Sequence, residues 1–292
     1  MPKTFQVENI LSKIVSELSA CTFVKGIVLG GSRATGTTDE HSDIDIGIYY
    51  KKGQIDYTLL NEAARRLDDE GRENLICREG EWGPWVNCGG WLVTDGFHVD
   101  LILRDIDRVK DIVVNTNAGD FSANYQTGHP HAYLDVMYRG ELASCKILYS
   151  GDDDFIYLQN SAQEYPAALK SSLLHFFMFE TGFSCALASK SMHSGDSYYF
   201  TGHIFRSVSA LNQAIFALNE KWCLNEKKAV YRIDSFPCAP ADYSDRVNEL
   251  FHTLTTSPVR TISLLRELYD ETLRLVQTSA GQQEDFLYAG NL

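Results

Sequence analysis

Between Asp43 and Ile48 the chain alternates strictly, Asp43-Ile44-Asp45-Ile46-Gly47-Ile48. No other feature constrains its fold as much. Successive side chains of a β-strand point to opposite faces. Ile44, Ile46 and Ile48 therefore share a buried face, and Asp43, Asp45 and Gly47 share the other. A second stretch, Phe97-His98-Val99-Asp100-Leu101-Ile102-Leu103, has the same form. It sets His98, Asp100 and Ile102 against Val99, Leu101 and Leu103. If the two strands are neighbours, three carboxylates converge on one surface and a continuous apolar face packs beneath them.

Like charges at short range raise one another's pKa. Three such carboxylates stay ionised together only around a cation. Hard oxygen ligands in this arrangement suit Mg²⁺, which takes one or two carboxylates and completes its shell with water and substrate phosphates. Upstream, the apolar strand Gly26-Ile27-Val28-Leu29 leads into Gly30-Gly31-Ser32. Glycines there accept positive φ and let the backbone approach a ligand closely. A short helix starting at Ser32 would aim backbone N–H groups at an anion. Metal-holding carboxylates beside a phosphate-holding turn are the components of nucleotidyl transfer.

On this reading Asp43 and Asp45 are ligands shared by two Mg²⁺ ions. Asp100 is the third ligand and a candidate base for the attacking hydroxyl. Gly30, Gly31 and Ser32 hold the triphosphate. Arg33 either pairs with the triphosphate or lies on a helix surface. Two metals would clamp the attacking and leaving oxygens of an in-line displacement at the α-phosphate, with release of pyrophosphate. A bland reading stands beside each assignment: a solvated edge strand for Asp43 and Asp45, and an exposed hairpin aspartate for Asp100. His98 shares the face but reads as structural.

Gly-Gly-Ser, a loop, Asp-x-Asp and a lone aspartate on a later strand resemble, in that order, the nucleotidyltransferases of the DNA polymerase β superfamily. The resemblance covers residues 23 to 105. The wider layout, a small catalytic domain followed by a helical one, is similar to the antibiotic nucleotidyltransferases that adenylate aminoglycosides or lincosamides. This resemblance implies ATP or another NTP as donor, AMP as the transferred group and a hydroxyl of a small molecule as acceptor. It implies a role in antibiotic resistance and a contribution from the second domain. There Glu180 would be a base, and Lys227 and Lys228, with Tyr231, would hold the triphosphate. Glu180 ends the stretch Leu173-Leu174-His175-Phe176-Phe177-Met178-Phe179-Glu180. Burial in so apolar a helix would raise its pKa toward that of a useful base. Exposure at the helix edge, and ordinary surface lysines, are the other readings. A protein acceptor, as in AMP-transferring regulators and antitoxins of this superfamily, is an alternative. So is a nucleotide-binding regulatory module that does not turn over.

The balance of 39 acidic against 26 basic residues gives a net charge of −13. Such a surface repels phosphate polymers, whose binding depends on phosphate neutralisation, and it attracts cationic small molecules. No nucleic-acid partner is expected. The seven cysteines are scattered and form no CxxC pair, which argues against zinc or a disulfide framework and for reduced thiols in the cytoplasm. No apolar run is long enough to span a bilayer. Oligomeric state stays open.

The fold class expected is α+β. A catalytic domain over residues 1–150, a mixed sheet flanked by helices, precedes a helical bundle over 151–292. Helices are expected over 5–20, 59–69, 106–115 and 132–143. Strands are expected over 23–29, 85–94 and 97–103, with an edge strand at 146–149. Asp95-Gly96 is a hairpin turn. Residues 70–84 and 121–131 read as loops, and a polar loop precedes Asp43. Asp152-Asp153-Asp154 reads as a helix N-terminus, where negative charge is favoured. Four helices then follow, over 167–189, 198–219, 243–254 and 258–276, with a polar tail after them.

Overall fold

The computed structural model describes residues 3–36 and 42–279. Most of the polar loop before Asp43 and the end of the C-terminal tail therefore lie outside the described residues. In chain order the first elements are α1 (Lys3–Ser19), β1 (Val24–Leu29), α2 (Gly31–Thr35), β2 (Ile44–Tyr50) and α3 (Tyr57–Leu67). They are followed by β3 (Cys88–Thr94), β4 (Phe97–Asp105), α4 (Ile106–Asn117), β5 (Ala123–Asn124) and β6 (Tyr133–Leu134). Next come α5 (Val136–Ser144), β7 (Lys146–Ser150) and α6 (Asp153–Gln163). The last helices are α7 (Ala167–Ser191), α8 (Ser197–Leu218), α9 (Ala229–Ile233), α10 (Tyr243–Thr253) and α11 (Pro258–Ser279).

The chain forms two compact units, an α+β unit and a helical one. The first holds residues 1–115, 121–128 and 132–164, and the second holds 116–120, 129–131 and 165–292. The division thus falls after Glu164 rather than at residue 150. Helix α6 belongs to the first unit because Phe155 is fully buried there and its ring lies where a Gly26 side chain would be, 2.4 Å from a Cβ built on that glycine. Asp152 caps α6 by accepting the Phe155 N–H.

Five strands make a mixed sheet in the order β3-β4-β2-β1-β7. Strands β2 and β4 run parallel, and the other neighbours are antiparallel. The alternation in the sequence sets the two faces. Ile44, Ile46, Ile48, Val99, Leu101 and Leu103 pack in one core with Ile10, Ile14 and Leu18 of α1 and Leu60, Ala63 and Ala64 of α3. Each valine, leucine or isoleucine among them contributes roughly 1.5–3 kcal/mol by leaving water. On the opposite face Val28 and Tyr49 pack with Val109 of α4, Met137 and Leu142 of α5 and Phe155 of α6.

Fully buried Arg139 ties these helices together. Its guanidinium donates to the carbonyls of Val113, Ser161, Ala162 and Glu164. It thereby satisfies the last carbonyls of α6, which have no partner within that helix.

The Asp95-Gly96 turn has positive φ at both central residues, 50° and 79°. That is the twist a two-residue hairpin needs, and it pairs Thr94 with Phe97 and Trp91 with Asp100. The outer edge of β3 is covered by the chain after α3. Asp68 accepts the Val93 N–H and pairs with Arg72, whose guanidinium also donates to the Trp91 carbonyl. Within 70–84, the Ile76 N–H meets Asn61, the Glu79 N–H meets the Tyr57 hydroxyl, and the Cys77 N–H meets Gly89. The expected strand 85–94 begins at Cys88, and the helix expected over 132–143 begins at Val136. Residues 121–131 include the short strand β5, paired with β6.

In the helical unit α7 and α8 pair along their lengths, and α11 packs on both. Hydrogen bonds join several polar groups inside this unit. The Tyr243 hydroxyl donates to Asn212 at 2.7 Å, and the Ser207 hydroxyl donates to the Thr181 carbonyl at 2.8 Å. All seven cysteines are free thiols, and no described helix is long and apolar enough to cross a membrane.

Candidate active site

Parallel pairing of β2 with β4 makes Asp45 and Asp100 register partners. Residues paired this way share a face, so both carboxylates stand on the side of the sheet away from the isoleucine core. Asp43, just before β2, is exposed on the same side. Burial pushes the Asp45 carboxyl up to about 6, and the charges of Asp100 and Asp43 push in the same direction. Asp100 is also raised, by burial first and then by Asp43, while His98 acts the other way.

The turn after β1 is shaped around Asp45. The Gly30 N–H donates to the Asp45 carbonyl at 2.8 Å, which holds the turn against β2 and occupies that N–H. Gly31 has φ +58°, and a Cβ there would lie 1.8 Å from Asp45 Oδ2. Only glycine leaves the carboxylate its place. Helix α2 starts here, and the N–H groups of Gly31 and Ser32 lie in its first turn, where no intrahelical acceptor exists. Arg33 lies over the Phe97 ring, 5.9 Å from its centroid, and donates to the carbonyls of Ser42 and Asp43. Its guanidinium thus braces the approach to β2, a use that neither sequence reading of Arg33 contained.

Below the carboxylates the same face closes with an ion pair. Arg104, 4% exposed, holds both oxygens of Glu141 at 2.8 Å and donates to the Val86 carbonyl. Glu141 adds to the negative field at Asp45.

No three described His, Cys, Asp or Glu side chains are drawn into a closed metal cage. The donor set still fits Mg²⁺, which needs one or two carboxylates and takes its other ligands from water and substrate. Asp45 and Asp100 are carboxylates held side by side, with raised proton affinity against which the Arg33 charge acts at Asp45.

Glu180, Lys227 and Lys228 belong to the helical unit. Glu180 is paired with Arg206 and accepts the Ser184 hydroxyl at 3.1 Å. Burial acts to raise its pKa, but the hydrogen bond and charge of Arg206 outweigh it and hold the carboxyl below its usual value. The raised pKa expected from the apolar sequence around it is therefore corrected, because the partner lies on another helix. Lys227 and Lys228 are exposed in the turn leading to α9, with Lys228 in the left-handed region at its N-terminus, and Tyr231 is exposed on α9.

One feature of the site escaped the sequence reading. Trp91, 61% exposed, is the cross-strand partner of Asp100 on the side away from Asp45. The two-residue turn at Asp95-Gly96 already implies this pairing, by counting back from Thr94 and forward from Phe97.

Residues 8–84 match the family of the nucleotidyltransferase domain. The match contains Gly30, Gly31, Ser32, Asp43 and Asp45 and stops short of Asp100. The chain carries a nucleotidyltransferase domain and is a transferase enzyme. Among solved structures it is similar to the nucleotidyltransferase-like protein from Exiguobacterium sibiricum 255-15, with 11% sequence identity and a TM-score of 0.44 over 96% of this chain and 81% of that chain. No curated protein matches the chain.

Proposed function

We propose that this protein is a Mg²⁺-dependent nucleotidyltransferase. It moves AMP from ATP onto a hydroxyl of a small molecule of the aminoglycoside or lincosamide type and releases pyrophosphate. The observation that carries this reading is the side-by-side placement of Asp45 and Asp100, with Gly31 shaped around Asp45. Asp43, Asp45 and Asp100 would hold the metal, which would supply positive charge against the triphosphate.

The protein's own groups do the rest by position. The first turn of α2 presents the Gly31 and Ser32 N–H groups to the β- and γ-phosphates. The acceptor oxygen forms a bond to the α-phosphorus as the bond from that phosphorus to the bridging oxygen of pyrophosphate breaks. Asp100, on the side of Asp45 away from the Gly31-Ser32 turn, is the candidate base that accepts the hydroxyl proton. The net charge of −13 favours a cationic acceptor. Glu180, held ionised by Arg206 within the helical unit, is not assigned as the base.

Intact-mass analysis tests this reading. Protein, Mg²⁺ and each of the four NTPs are incubated with a panel of aminoglycosides and lincosamides, with Asp45→Asn in parallel. A gain of one AMP on one acceptor, absent with the variant, is expected. Modification of a protein instead, or none of any acceptor, overturns the small-molecule assignment.

A further inference from the structure

Strand order sets a direction across the site. Reading over the sheet from one edge, Trp91 stands on β3, Asp100 on β4, Asp45 on β2, and the Gly31-Ser32 turn follows β1. Neighbouring strands are about 4.8 Å apart. Trp91 is therefore one strand from Asp100 and two from Asp45, on the same face as both.

Trp91 is built into a platform. Its ring stacks on Trp82 with centroids 4.5 Å apart and planes at 23°. Trp82 in turn lies over Gly89, where a Cβ would come within 2.6 Å of its ring. Beneath, the β3 backbone is held by Arg72 at the Trp91 carbonyl and by Asp68 at the Val93 N–H. A large indole is thus fixed in orientation while most of it faces solvent. Nothing in the fold's own packing requires that exposure.

In-line displacement decides what meets it. The nucleophile must approach the α-phosphorus from the side opposite the departing pyrophosphate. With pyrophosphate at the Gly31-Ser32 turn, beyond β2, the acceptor enters over β4 and β3. We infer that Trp91, backed by Trp82, is the acceptor subsite. It takes the C–H face of a hydroxyl-bearing saturated ring, a sugar or cyclitol, whose hydroxyl then points at Asp100. This rests on the nucleotidyl-transfer reading and adds the ring class of the acceptor and the residue that selects it. The same indole face suits one other group, the nucleobase of the donor, and the test separates the two.

Steady-state kinetics of Trp91→Ala and Trp91→Phe are measured with the acceptor found by mass analysis. Loss of one stacking contact is worth about tenfold. The acceptor KM of the alanine variant should rise by about that factor, with the ATP KM unchanged and most of the loss recovered by phenylalanine. An unchanged acceptor KM overturns the inference, and so does a rise in the ATP KM in its place, which would assign the platform to the base. If wild type modifies no acceptor, the functional reading fails, and tryptophan emission decides the subsite alone. Quenching by the aminoglycoside and lincosamide panel that is absent from Trp91→Ala sustains it, and no quenching, or quenching by ATP only, overturns it.

Discussion

Gly31 and Asp45 are fitted to each other so closely that a methyl group on the glycine would lie 1.8 Å from Oδ2 of the aspartate. The β1 turn and the β2 carboxylate are thus one structural unit, although a loop separates them in the chain.

Gly31→Ala tests that unit. The left-handed φ of +58° costs an L-residue about 1–3 kcal/mol. The new Cβ also displaces the Asp45 carboxylate, and a shift of about 1 Å in a reacting group costs on the order of 100-fold in rate. A melting curve and an initial-rate assay should show a modest fall in stability and a much larger fall in turnover. Loss of stability with full turnover would show that the Asp45 position does not matter.

Asp45 gives a pH signature in the metal-free protein. Its carboxyl is raised by burial and by neighbouring charge from 3.8 to about 6. A raised pKa means that the folded state prefers the proton. The stabilisation is complete below 3.8 and is lost as pH rises through 6. Asp45→Asn removes this penalty. In EDTA at pH 8 the variant should be the more stable by on the order of 1–3 kcal/mol, and the difference should vanish by pH 4. Added Mg²⁺ should raise the melting temperature of wild type, increasingly above pH 6, and leave the asparagine variant unmoved. A pH-independent difference would contradict the assignment.

Arg104 and Glu141 make the strongest stability prediction. Glu141→Ala leaves a guanidinium that is 4% exposed without its carboxylate. Orphaning a buried charge costs about 3 kcal/mol or more. Urea unfolding should show that loss, and Arg104→Met combined with Glu141→Leu should recover most of it. A loss no smaller in the double variant would mean that the pair, not the isolated charge, is what the fold needs.

The elements legible in the sequence are those set by local rules. Alternation fixed which side of β2 and β4 carries Asp43, Asp45 and Asp100. The Asp95-Gly96 turn fixed the hairpin register, and Asp152 marked the start of α6. The relationships that stayed hidden are those set by partners far away in the chain. The neighbourhood of β2 and β4 entered the sequence reading only as a condition, because strand order is not written in either strand. Burial of Glu180 could be suspected from its apolar helix, but Arg206 lies on the next helix and reverses the effect on its pKa. Helix α6 packs within the first unit because Phe155 finds its place against Gly26, a glycine with no local reason to be noticed. Arg33 read as a phosphate ligand or a surface residue, and its use on the carbonyls of Ser42 and Asp43 depends on the path of a loop.

The parallel β2–β4 pair also governs when function can exist during folding. Antiparallel neighbours can close through a short turn, as β3 and β4 do. The segment from Tyr50 to Phe97 must instead fold back on itself, carrying α3 and β3 with it, before Asp45 meets Asp100. Long-range closure of this kind has a high entropic cost and comes late in folding. No fragment ending before β4 can hold the carboxylate pair. On the proposed function, recovery of metal binding during refolding would time the closure of β2 against β4.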